Sequence, residues 1–172
     1  MSGKDLVVVI FPEADTVQVE DFRSRWDPLA GAVAAHITLV YPFAWRGPID
    51  EVATGIARVA AAHDSFTINF NKVMTWEDEF LFLIAAEGGD EVSSLHRDLY
   101  SGVIPGLVAP DEFVPHVTVG RPGGGVNLAA SRADAERLGL SLSGRATALS
   151  IYSRDSRGRR VREVDIRLRD SR

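Results

Sequence analysis

No cysteine occurs among the 172 residues, which excludes disulfides and thiolate nucleophiles and fits a reducing cytoplasm. No long apolar run occurs either. The stretch Leu6–Phe11 is too short for a signal-peptide core or a membrane span, and no later stretch is long enough. A soluble cytoplasmic protein is expected. Excess positive charge is also missing: the net charge of −5 argues against a general nucleic-acid binder, which shows a basic footprint. Linkers, low-complexity tracts and charge blocks are absent, so residues 1–172 are expected to form one domain, long enough to bury a sizeable core.

Histidine is scarce, with four copies. A zinc site built on His36 and His116 would need a third ligand at matching depth. No His-x-x-x-His, cysteine or nearby His-Asp pattern offers one. Gly123-Gly124-Gly125 lacks the Lys-Ser/Thr of a phosphate loop and reads as a connection between strand and helix. No metal and no cofactor is expected. His96 falls on a helix's apolar face, where a packed role is expected. His63 follows a helix end, where an imidazolium complements the dipole.

The apolar periodicity predicts alternating strands and helices. Leu6 to Phe11 reads as a buried strand. Asp15 is expected to cap a helix with Val19, Phe22 and Trp26 on one face, stopping near Pro28. His36 to Val40 reads as a strand broken by Pro42. Pro48 opens a helix carrying Ile49, Val52, Ala53, Ile56 and Ala60 at helical spacing. Strands are expected over 65–73 and from Phe80 to Ala85, paired antiparallel, then a helix marked by Val92, Leu95 and Leu99 that ends at Gly102. A strand from Phe113 to Gly120 follows, then a helix from an Asn127 cap to Leu138 with Gly139 as its stop. Strands over 140–152 and 161–169, joined through Arg157-Gly158, complete the chain. This order suggests two related α+β lobes facing each other across one cleft.

Two segments carry the chemistry. His36-Ile37-Thr38-Leu39 and His116-Val117-Thr118-Val119 each set an imidazole and a hydroxyl two residues apart on a strand, which aims both side chains at one face. With four histidines and seven threonines, two such pairs arise by chance in about one chain in a hundred. One copy alone reads as a strand histidine satisfied by a backbone carbonyl. Two copies supply one group that accepts a proton, one that donates it, and two hydroxyls for the equatorial oxygens of a phosphate. The pattern predicts metal-independent phosphoester chemistry and a bell-shaped dependence of rate on pH.

His36-Ile37-Thr38-Leu39-Val40-Tyr41-Pro42-Phe43 and Val114-Pro115-His116-Val117-Thr118-Val119-Gly120-Arg121 closely resemble the paired motifs of the two-histidine (2H) phosphoesterases. The RNA 2′,3′-cyclic phosphodiesterase group, also labelled 2′-5′ RNA ligases, looks nearest. The resemblance spans the chain in length, motif separation and element order, while only the motif segments are specific. It implies an α+β fold of two lobes about a pseudo-twofold axis, with two antiparallel sheets lining a central cleft and helices outside. It also implies action on 2′,3′-cyclic or 2′-5′ phosphoesters, with reverse ligation at the same site. His36 would be the proton donor and His116 the acceptor, with Thr38 and Thr118 on the phosphate.

Tyr41, Phe43 and Arg121 are the nearest candidates for substrate contact. Trp26, Trp45 and Trp76 are expected in packing roles more than in stacking on a base. Residues 154–172 hold eight arginines against four acids, leaving the rest of the chain at −9. This tail reads either as a solvated hairpin or as an element, Arg154 included, that steers a phosphate-bearing substrate. The expected partner is a nucleotide or RNA end with a cyclic phosphate, and no membrane, for a monomeric enzyme. A non-catalytic nucleotide- or RNA-end-binding module on the same fold is the alternative.

Overall fold

Leu6, Val8 and Ile10 are fully buried in one core, while Val9 between them is buried outside that cluster, on the other side of the strand. This alternation runs through a computed structural model that describes residues 3–123, 125–155 and 158–170, and of Val126 the backbone alone. The strands are β1 (Lys4–Ile10), β2 (Glu13–Ala14), β3 (Ile37–Trp45), β4 (Phe66–Trp76), β5 (Phe80–Glu87), β6 (His116–Gly120), β7 (Leu142–Ala146), β8 (Ala148–Arg154) and β9 (Arg160–Arg167). The helices are α1 (Val17–Trp26), α2 (Ile49–Ala62), α3 (Gly89–Tyr100) and α4 (Gly125–Leu138).

The nine strands lie in the order β2-β7-β4-β5-β6-β3-β1-β8-β9, with antiparallel pairing between neighbours. Two arms make up this sheet. They meet between β3 and β6 at one register pair, Ile37 with Val117. Outward from that seam, β3-β1-β8-β9 mirrors β6-β5-β4-β7, which is the two-lobed α+β arrangement expected. The core that joins Ile37, Leu39, Val117 and Val119 also holds Val19 and Phe22 of α1, Val52 and Ile56 of α2, Leu95 and Leu99 of α3, and Leu128 and Ala135 of α4. All four helices therefore pack on the sheet face opposite the motif imidazoles and hydroxyls.

The lobes are not consecutive halves of the chain. One arm takes both ends (β1, β3, β8, β9) and the other takes β2 and the middle strands β4–β7. The expected single strand over 140–152 is two strands that break at Thr147 and go to different arms. β7 covers β4, and β8 covers the edge of β1 left open by β3, which removes an exposed ladder.

Other boundaries differ from expectation for local reasons. β3 runs on through Pro42, because the β1–β3 register shifts between Leu6 and Val8, and an irregular ladder tolerates a missing N–H. β6 starts at His116 and not at Phe113. α4 starts at Gly125, so Asn127 lies in its first turn, where its amide donates to the Pro122 carbonyl at 3.3 Å. Asp15 accepts the Val17 N–H at 3.0 Å, while the capping position itself falls on Thr16. Arg157 of the expected turn lies outside the described residues.

Candidate active site

The seam pair fixes the site. Ile37 and Val117 are fully buried and face the helices, so the residues flanking each of them face the other way. β3 begins at Ile37, so His36 stands one residue before the strand and not at its first position as expected. Continuing the antiparallel register by one residue on each side sets His36 toward Thr118 and His116 toward Thr38. All four are half-buried. The two imidazole–hydroxyl couples thus share one face, each histidine set against the other couple's threonine.

The imidazoles are held alike. Nδ1–H of His36 donates to the Ala34 carbonyl at 2.8 Å, and Nδ1–H of His116 donates to the Val114 carbonyl at 2.7 Å. A carbonyl only accepts, so the proton of each neutral ring sits on Nδ1 and Nε2 keeps its lone pair. Desolvation by burial lowers both pKa values from the usual 6.5, against the raising effect of the carbonyl contact. For His36 the charges of Arg160, Arg23 and His116 lower it further. Aromatic neighbours supply much of the apolar surface: Phe82 stacks on His116 with ring centroids 3.7 Å apart, and Phe11 lies 5.7 Å from His36.

Two cavities flank Thr38 and Tyr41, which line both. On the His36 side, a pocket of about 120 Å³ is bounded by Tyr152, Arg154 and Arg160, with Asp5 at its wall. On the His116 side, one of about 380 Å³ is bounded by Thr118, Trp76, Phe80 and Phe82, with Glu77 and Glu112. Burial raises the Tyr41 phenol above its usual 10.0, so it remains a donor at neutral pH.

The structure brings His36, Thr38, Tyr41, His116 and Thr118 together. It does not bring Phe43 with them: that ring packs against the core and lines neither pocket. Nor does Arg121 line either pocket: it is paired with Glu79, its guanidinium 5.1 Å from the centre of the Phe80 ring. Trp26 donates its indole N–H to Asp134 and Trp45 donates to the Pro48 carbonyl, whereas Trp76 lines the His116 pocket. His96 is buried as expected, donating to the Leu39 carbonyl at 2.8 Å and stacked on Phe113. His63 contacts Asp98 at 2.8 Å.

Sequence reasoning missed Phe11, Phe82 and Arg23. Phe82 follows from register, since it pairs across from Thr118 and must share its face. Arg23 is 2% exposed, bonded to Asp27 at 2.9 Å, to Glu20 and to the Val33 carbonyl. Glu20 also accepts the Ala35 N–H at 2.6 Å, so the network grips the chain on both sides of Ala34, which holds His36. Nothing in the helical pattern marked that arginine as buried.

Among the described residues, no three histidine, aspartate or glutamate side chains gather as a metal cluster, and no helix is long and apolar enough to cross a membrane. Fold and site define an α+β protein with mirrored imidazole–hydroxyl couples at the junction of two sheet arms.

Comparison with known proteins gives the family. A sequence model of the 2′-5′ RNA ligase superfamily matches residues 11–158. A Geobacillus thermodenitrificans protein named "Putative phosphoesterase" is 32% identical over 119 residues, covering 66% of this chain and 67% of its own. Among solved structures, E. coli LigT in apo form superposes with a TM-score of 0.66 at 19% identity, over 99% of this chain and 100% of its own. TT0787 of Thermus thermophilus gives a TM-score of 0.66 at 17% identity, over 98% and 100%. The chain belongs to the 2′-5′ RNA ligase superfamily, the 2H phosphoesterases.

Proposed function

We propose that the protein hydrolyses a 2′,3′-cyclic or 2′-5′ phosphodiester of an RNA end or small nucleotide, with His36 and His116 moving the protons. The observation that carries this reading is the matched hold on the two imidazoles, which leaves each Nε2 lone pair unused by its carbonyl contact, in residues that line the same pockets as Thr38 and Thr118. In the hydrolytic direction, the neutral histidine takes a proton from water as its oxygen attacks phosphorus. The bond to one ribose oxygen breaks, and that oxygen takes the proton of the other imidazolium. Thr38 and Thr118 donate to the equatorial oxygens, where charge accumulates.

By resemblance, His36 is the donor to the leaving oxygen and His116 the acceptor from water. Exchange of the two roles by microscopic reversibility joins a 5′-hydroxyl to a cyclic phosphate. Trp76 and Phe80 give the His116 pocket aromatic surface for a nucleobase, and Glu77 and Glu112 offer acceptors for its N–H groups or for ribose hydroxyls. LigT from E. coli, which shares this fold, has been solved with 3′-AMP.

The test is hydrolysis of nucleoside 2′,3′-cyclic phosphates, in the presence of a chelator, by wild type, His36→Ala and His116→Ala. Each substitution is expected to lower kcat by about 10²–10⁴-fold. Unchanged turnover in either variant overturns the mechanism. Tight binding of the cyclic phosphate by wild type without conversion would favour a binding module instead.

A further inference from the structure

Arg154 and Arg160 are direct cross-strand partners on β8 and β9. Like charges set opposite each other in a sheet destabilise it unless something of opposite sign sits between them. Arg159 and Arg162 of the same hairpin have carboxylates, Asp155 and Asp165, and Arg169 just beyond β9 pairs with Asp64. The side chains of Arg154 and Arg160 make no ion pair or hydrogen bond among the described residues. Asp5, at the wall of the same pocket, is exposed and paired with neither, and Asp27, whose charge reaches Arg160, is already bonded to Arg23. Both arginines line the pocket that His36 and Thr38 also line.

We propose that Arg154 and Arg160 form a second anion subsite, which takes the 5′-phosphate of a nucleotide whose 2′,3′-cyclic phosphate lies between the histidines. This rests on the reading of the cleft given above. Ribose connectivity supports the placement. The base leaves the ring at C1′, next to C2′, and the 5′-carbon leaves at C4′, next to C3′. With the cyclic phosphate centred at Thr38, base and 5′-phosphate therefore point to opposite sides. The cleft has the same polarity: aromatic rings and carboxylates on the His116 side, two unpaired guanidinium groups on the His36 side. Guanidinium groups suit a phosphate because their forked N–H donors match its oxygens. The recognised class is a nucleoside 2′,3′-cyclic phosphate bearing a 5′-phosphate, either as a free monoester or as the last phosphodiester of an RNA end.

Two measurements test the subsite. The first is calorimetric titration with adenosine 3′,5′-bisphosphate against adenosine 3′-monophosphate, which needs no turnover. The second is kcat/KM for adenosine 2′,3′-cyclic phosphate, for the same compound with a 5′-phosphate, and for an adenosine dinucleotide ending in the cyclic phosphate. Wild type is expected to prefer the 5′-phosphorylated ligand by about tenfold or more. Arg154→Gln and Arg160→Gln should each bring that ratio close to one. Arg167→Gln removes the same charge from the same strand, seven residues away, and should keep the ratio.

A wild type indifferent to the 5′-phosphate overturns the subsite, as does an Arg167→Gln that loses the preference equally. Preference for the monoester alone identifies a free nucleotide as the source, and equal preference for the dinucleotide identifies an RNA end. Either supports the proposal. Binding preference without hydrolysis of any cyclic phosphate would overturn the hydrolase reading and leave the subsite standing. Because Arg160 and Arg154 repel, Arg160→Gln should unfold at no lower temperature than wild type in anion-free buffer. A lower midpoint would make Arg160 a structural support and overturn its assignment.

Discussion

His36 and His116 are fastened by the same contact, an Nδ1–H donated to the carbonyl two residues back, at 2.8 and 2.7 Å. Both rings also have pKa values lowered from 6.5, chiefly by desolvation. An acid–base pair works only while one ring is neutral and the other protonated. With both values below 6.5, the population carrying a single proton is greatest on the acid side of 6.5. The pH profile of kcat/KM on a nucleoside 2′,3′-cyclic phosphate should therefore be a bell with its maximum below pH 6.5. A maximum above pH 7.5 would contradict the desolvated environment described here.

Arg23 offers a test of how the first histidine is positioned. Its guanidinium is almost wholly buried and binds both Glu20 and Asp27, and the latter is itself only 8% exposed. Removing one partner of a buried ion pair leaves an uncompensated charge, at a cost of about 3–5 kcal/mol. Arg23→Met should lose that much in urea unfolding. Since the network grips Val33 and Ala35 on either side of Ala34, kcat at a temperature where the variant is folded should also fall, by about tenfold. A variant with full activity and less than about 1 kcal/mol lost would remove Arg23 from the support of His36.

Stability should depend on pH through the same desolvation. His36, His96 and His116 all have lowered values in the folded state, against about 6.5 in the unfolded chain. Below 6.5 the unfolded chain takes up protons first, so stability is full above that pH and falls as the solution is acidified through it. The unfolding midpoint should drop between about pH 7 and pH 5, before the carboxylates Asp64, Asp134 and Glu163, whose values are also lowered, enter at still lower pH. Differential scanning calorimetry checks this, and His116→Gln should flatten the slope. A midpoint constant over that range would mean the imidazoles are not desolvated in solution.

The site was legible because its signal is local. A histidine and a threonine two residues apart share a face wherever the backbone is extended, and the apolar residues inside both motifs mark β3 and β6, although His36 itself stands one residue before β3. The assembly of the arms was less legible. Over 140–152, Leu140, Leu142 and Ala146 are buried at even positions and Leu149 and Ile151 at odd ones. That change of phase at Thr147 marks the break between β7 and β8, yet it reads as one loosely alternating strand. Pro42 misled in the opposite direction, since a shifted ladder does not need every N–H. Phe82 and Phe11 could not be assigned to the imidazoles before the strand partners were known, because cross-strand neighbours are set by register and not by spacing in the chain. Arg160 was one of several arginines in a basic tail until the β8–β9 hairpin separated it from those with carboxylates.

The narrowness of the join at Ile37 and Val117 has a consequence for substrate size. Each motif strand is laced far more extensively to its own inner neighbour, β3 to β1 and β6 to β5, than to the other motif strand. The two motif imidazoles are thus carried by strands with different inner partners, above one shared core. Under the proposed reaction, a bulkier ester would be accommodated most cheaply by a small change of tilt about that one rung, and the core shared by both arms sets how far the tilt can go.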